Sequence, residues 1–70
     1  MAIYVTDAIT DVPITDAYFS TTYGSWGNGW YLVQDFQNGD WIIVGAPGYS
    51  WSSFQGVDGA EEGVGLFGSI

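Results

Sequence analysis

The sequence predicts an all-β fold, a small antiparallel sheet or sandwich built on a three-stranded meander, with further edge strands from the N-terminal and C-terminal ends. Three observations carry that expectation. Helix formers are scarce, with one Met, no Lys or Arg, and Glu only at Glu61 and Glu62. Residues that suit a pleated, half-buried surface are plentiful, and 19% of the chain is aromatic. Two Asn-Gly steps, Asn28-Gly29 and Asn38-Gly39, each sit between aromatic or β-branched runs. Asn-Gly is the favoured filling of a two-residue type I′ hairpin turn, because both central residues need φ > 0.

The first quarter, AIYVTDAITDVPITDAYFS, holds a near-repeat, VTDAI at 5–9 and ITDAY at 14–18. Two explanations stand. One is coincidence in a short β-rich stretch, since repeat architectures need several copies at a fixed period. The other is a pair of similar edge-strand segments with Thr-Asp turns, in which Pro13 restricts its strand to an edge or a bend. The Asn-Gly turns then delimit meander strands of roughly 18–27, 30–37 and 40–45. After them, GAPGYSWSSFQGVDG suggests a loop-rich crossover with one short strand near 50–55. DGAEEG, at 58–63, is the one place for a helical turn. The tail GVGLFGSI, at 63–70, is extended, uncharged and apolar, suited to pairing as a last strand or docking into a neighbouring subunit by strand addition.

A two-residue turn makes its flanking residues a directly opposed pair, and side chains alternate from there. One face of the meander then carries Phe36 opposite Trp41, and Gln34 opposite Ile43 and Tyr23, with Phe19, Trp30 and Leu32 alongside. This face is assigned to the core. On the other face Trp26 lies opposite Tyr31, Val33 opposite Val44, and Asp35 opposite Ile42, with Gln37 and Asp40 at the tip. Away from the second turn this second face is more apolar than a solvated surface needs.

The 70 residues 1–70 are expected to make one small domain. A chain of that size buries only about 60% of its unfolded surface and is marginal alone. Such scaffolds gain support from disulfides, metals or oligomerisation. The chain has no Cys and no His, which excludes disulfides and the Cys- or His-containing metal sites. Oligomerisation or docking onto something larger is left.

Charge narrows the partners. Eight carboxylates stand with no Lys, Arg or His, a net charge of −8. Each must be solvated, capped by backbone N–H groups, or met by a partner's cation. A uniformly negative field argues against direct contact with nucleic acid or anionic membranes and favours cations or a basic protein surface. With 47% apolar residues the chain is not a disordered acidic tail. It carries no transmembrane-length apolar run and no signal-peptide pattern at its start. Cytoplasmic synthesis is expected, with a virion or extracellular particle as one destination.

The same inventory bears on chemistry. Without His, Cys, Lys or Arg there is no Ser-His or Cys-His nucleophile, no Schiff base and no cationic oxyanion support. A glycosidase-type carboxylate pair needs more cleft wall than this chain supplies. The EF-hand spacing is absent, and Asp58, Glu61 and Glu62 suit a solvated turn better than a specific metal site. No cofactor is expected beyond nonspecific screening by divalent cations.

What remains is a non-catalytic structural or interaction protein, an acidic β-subunit that self-assembles or docks onto a larger assembly such as a virion shell, tail or filament. Candidate contact residues are Trp26, Tyr31, Val33 and Val44 on the second face, Trp51 in the crossover, and Leu66, Phe67 and Ile70 in the tail. Two alternatives come from other classes. A carbohydrate-binding module would stack sugars on Trp26, Tyr31 and Trp51, and an acidic decoy would block a basic protein.

Overall fold

The computed structural model describes residues 1–69 and is all-β. Its strands are β1 (Ala2–Asp7), β2 (Tyr18–Phe19), β3 (Tyr23–Gly27), β4 (Trp30–Val33), β5 (Trp41–Gly45), β6 (Ser52–Gln55) and β7 (Glu61–Leu66). They form two sheets, of order β3-β4-β1-β7 and β2-β5-β6. One hydrophobic core lies between them, with Ile3, Val5, Tyr31 and Val33 from the larger sheet and Ile42, Val44 and Phe54 from the smaller.

The first Asn-Gly step makes its hairpin. Asn28 and Gly29 have φ of 55° and 88°, the type I′ signature, and Gly27 opposes Trp30. Gly29 has a second constraint, because a Cβ there would lie 2.9 Å from both Pro13 Cβ and Val5 O. The register differs one residue further on. A β-bulge between Ser25 and Gly27 leaves Trp26 as the extra residue, so Ser25 and not Trp26 faces Tyr31.

The second Asn-Gly step turns the chain but closes no hairpin, so the three-stranded meander is corrected to a two-stranded one. Only Gly39 takes positive φ, at 91°, and Asp40 N donates to Gln37 O (2.9 Å), the type II pattern. β4 has no free edge for β5, because β3 occupies one side and β1 the other, with Ile3 opposite Tyr31. The chain therefore leaves the larger sheet after Val33 and returns to the second one, where β5 pairs with β2. Asn38 Oδ1 accepts Asp58 N–H (2.7 Å) and Gly39 N donates to Gly56 O (2.9 Å), which ties the turn to the segment after β6.

The N-terminal strand is central and not an edge. β1 lies between antiparallel β4 and parallel β7, and Ala2, Ile3, Val5 and Thr6 are all buried. The near-repeat folds back on itself: Ile14 N donates to Val5 O and Asp7 N to Val12 O, both at 2.9 Å. Its first copy starts inside β1, which ends at Asp7, and of its second copy only the last residue, Tyr18, enters a strand. DGAEEG forms a turn with Gly59 at φ 78° and then enters β7, so no helical turn forms. The tail is held within its own chain, by the parallel β1–β7 ladder, by the Tyr49–Gly68 bridge, and by Ser69 N donating to Gly48 O (2.9 Å).

Along β4 and β5 the faces are the reverse of those expected, whereas Phe19 and Phe36, assigned to the core side, do pack against the core. Tyr31, Val33, Ile42 and Val44 point into the core, whereas Trp41 and Ile43 face outward and Trp30 and Leu32 are half-buried on the outer side of the larger sheet. Trp30 packs there against Tyr4 with ring centroids 5.0 Å apart. Alternation is intrinsic to a strand, but which side turns inward depends on where the second sheet lies. Phe19 of β2 joins the layers, with ring centroids 5.3 Å from Tyr31 and 6.2 Å from Phe54.

Tyr31 is the largest fully buried side chain, and burial pushes its phenol pKa up. Its hydroxyl donates to Ile14 O (2.6 Å) and accepts Ala17 N–H (3.0 Å), which clamps the loop between the two sheets. Tyr31→Phe leaves both backbone groups unpaired in the interior. Urea unfolding should show a loss of about 1–3 kcal/mol.

Asp7 ends β1 as a cap. Its Oδ1 accepts N–H bonds from Ile9 (2.8 Å) and Thr10 (3.0 Å), and its Oδ2 accepts the Tyr49 hydroxyl (2.9 Å). The Thr10 and Ile9 amides first, then Tyr49, hold its carboxyl below the ordinary 3.8. A carboxylate with a depressed folded pKa stabilises the fold above its unfolded pKa and loses that contribution as pH falls through the folded value. Thermal melts of Asp7→Ala against the parent should thus show a constant deficit from neutral pH down to about pH 5, shrinking as pH drops below about 4.

Candidate functional site

The outer face of the three-stranded sheet is built by strict alternation. Register pairs Tyr18 with Gly45, Ile43 with Ser53, and Trp41 with Gln55. Paired residues share a face, so these six lie outward while Phe19, Ile42, Val44 and Phe54 turn toward the core. Ser20 extends the β2–β5 ladder beyond Phe19: its N donates to Ile43 O and its Oγ accepts Ile43 N–H, each at 2.9 Å.

Four large side chains on this side stay in solvent. Trp51 is 68% exposed, Trp41 67%, Tyr18 49% and Ile43 46%. Gly45 has no side chain, which lets the Tyr18 ring lie over it, so close that a Cβ there would come within 2.9 Å of that ring. A shallow depression of about 230 Å³ results, lined by Tyr18, Phe19, Ser20, Ile43, Gly45 and Trp51. The tip of the face is closed by Gln55, whose Nε2 donates to Gly39 O (3.3 Å).

None of the outward positions is acidic. Asp7, Asp11 and Asp16 lie at the end of β1 and in the loop after it, Asp35 and Asp40 in the connection from β4 to β5, Asp58 in the turn before β7, and Glu61 and Glu62 on β7. Asp40, next to Trp41, directs Oδ2 back to Gln37 N (2.9 Å). Among the described residues no three carboxylates gather where they could hold a metal ion. The face offers stacking, van der Waals contact and neutral hydrogen bonds.

The expected contact residues divide. Trp51 and Phe67 are exposed, and Phe67 O accepts Ser50 N–H (2.8 Å), which places the two segments side by side. Trp26 is exposed too, but on the far sheet at the β3 bulge. Tyr31, Val33, Val44 and Leu66 lie in the core of the chain's own fold, which corrects their assignment to an outer surface. Ile70 lies outside the described residues. Trp26, Tyr31 and Trp51, the aromatic trio of the saccharide alternative, therefore share no surface. Sequence reasoning missed Tyr18, Trp41 and Ile43. The one clue was Gln34, an amide in the middle of the face assigned to the core, where burial without partners is costly.

Compared with protein-family models, curated proteins and solved structures, the chain matches none. Unfolding at a concentration where the protein is monomeric tests the face assignment directly. Trp41→Ser and Trp51→Ser should each change stability by no more than about 0.5–1 kcal/mol, whereas Ile42→Ala, one position away, should cost about 2–5 kcal/mol.

Proposed function

We propose that this protein is a non-catalytic interaction module, a small acidic β-subunit that contributes a docking surface to a protein assembly. One observation carries the proposal: the outer face of β2-β5-β6 exposes Tyr18, Trp41, Ile43 and Trp51 together and has no carboxylate in a chain of net charge −8. Contiguous exposed apolar patches, aromatic ones above all, mark contact sites. Support also comes from size, since a domain of 70 residues gains stability by burying such a face. Assembly with its own copies, or onto a larger shell, tail or filament, fits this profile.

The acidic-decoy alternative calls for a dense carboxylate surface, and here the carboxylates are spread over turns, strand ends and one sheet edge. A neutral oligosaccharide is the competing occupant, because Ser20, Ser53 and Gln55 neighbour the aromatic side chains.

Assembly brings uncompensated negative charge together, and added salt screens that repulsion while leaving apolar contact intact. Sedimentation between about 1 µM and about 1 mM protein should show association that tightens as NaCl rises from about 20 mM to about 0.5 M. Association indifferent to salt, or a folded monomer throughout together with tryptophan quenching by a neutral glycan, contradicts the proposal.

A further inference from the structure

We propose that the occupant of the outer β2-β5-β6 face is a second copy of this chain, docked about a two-fold axis so that Trp41 of each copy enters the depression beside Tyr18 and Trp51 of the other. The inference rests on the docking role above and commits it to one partner.

Charge selects the partner. A basic protein is drawn to carboxylates, and these lie off the face. A second copy carries −8 itself, and with no Lys, Arg or His in either copy nothing offsets repulsion between opposed carboxylates. Two copies can meet without opposing like charges only through a surface that has none. The outer face of β2-β5-β6 is such a surface, and it is also the one with the clustered aromatic side chains.

Shape selects the arrangement. Trp41, Ile43 and Gly45 follow one another on the same side of β5, spaced about 6.8 Å apart by the strand repeat. The bulkiest side chain therefore stands at one end, the missing one at the other, and Ile43 midway. A two-fold axis lying in the interface and passing over Ile43, perpendicular to β5, reverses the strand and sets each Trp41 at the Gly45 end of the partner's β5, beside the Tyr18 ring that covers Gly45. Tyr18 pairs with Gly45 on one flank. On the other flank Ser52 pairs with Val44, so the preceding Trp51 comes alongside Gly45. Tyr18, Ile43 and Trp51 thus form the walls of the depression that receives the indole. The same patch serves on both copies, as a closed two-fold interface requires.

Area sets the strength. Two Trp and one Tyr, at about 150–250 Å² each and partly exposed, bring the total buried in a dimer to the order of 1,000 Å². That is the low end for specific interfaces, so the dimer should be reversible and concentration-dependent.

The chain has no Cys, so Ile43→Cys places a single thiol at the axis. Treatment with a short bis-maleimide should link this variant to itself, while Glu62→Cys, on the other sheet, should stay unlinked. Sedimentation of the parent chain should give a monomer–dimer equilibrium with a heavier species of twice 7.6 kDa. Trp41→Ser should weaken dimerisation by about tenfold or more while its unfolding midpoint stays near that of the parent. Gly45→Ala, whose Cβ would lie 2.9 Å from the Tyr18 ring and force that wall of the depression to shift, should weaken it too.

Association to a larger species, or association without the 43–43 link, overturns this geometry and leaves the docking role standing. Association unchanged by Trp41→Ser overturns it equally. A chain that stays monomeric at every concentration overturns both the dimer and self-assembly, and glycan quenching of that monomer gives the face to a sugar.

Discussion

Tyr31 is the residue on which the two-sheet arrangement depends. Its ring fills the centre of the core beside Phe19 and Tyr23, and its hydroxyl is satisfied by Ile14 O and Ala17 N. Those two backbone groups belong to the segment that carries the chain from the larger sheet into β2. A single side chain thus fills the interior volume and pins the crossover, and its polar atom is buried without going unpaired. Once that segment is pinned, Phe19 is delivered to the interface between the layers and β2 to the edge of β5. The outward residues of the smaller sheet follow from β2, because Tyr18 reaches its place over Gly45 only when Phe19 is turned in.

Absence of cations shapes the rest. Carboxylates here have no side-chain cation to pair with, and two of them act as backbone caps, Asp7 on Ile9 and Thr10 and Asp40 on Gln37. Glu61 and Glu62 lie on β7, an edge strand, where charge discourages unwanted strand pairing. The negative charge is consequently confined to turns, strand ends and that edge. The outer side of β2-β5-β6 is left free of it, and apolar contact between like-charged copies is permitted there and opposed elsewhere. The placement of the carboxylates and the charge-free outer face are consequences of one compositional choice.

Local features of the chain were legible in the sequence where they rest on local physics. Asn28-Gly29 forms its type I′ turn because two adjacent positive φ values are needed and nothing else competes for them. The short strand at Ser52–Gln55 and the pairing of the C-terminal segment follow from alternation and from β-forming residues. Asn38-Gly39 shows the limit. It is a turn, as its residues dictate, but whether a turn closes a hairpin depends on whether the first strand still has a free edge. β1, some thirty residues upstream, had already taken that edge, by a contact that no window around residue 38 contains. The exposed aromatic face was hidden for a related reason: Trp41 and Ile43 are as suited to a core as Ile42 and Val44, so apolarity could not distinguish them.

By itself the sequence determined the all-β class, the position of the turns, the alternation of side chains along each strand, and the absence of any ion pair between side chains. These depend on backbone sterics and composition, which act within a few residues or over the whole chain regardless of shape. Only the tertiary structure decided that β1 is central, that the chain splits into two sheets, and which side of β5 turns inward. Each of those choices is a competition among distant segments for one edge or one face. Pairing energies that are nearly equal locally are separated by the single arrangement in which Tyr31, Phe19 and Phe54 fill one core together.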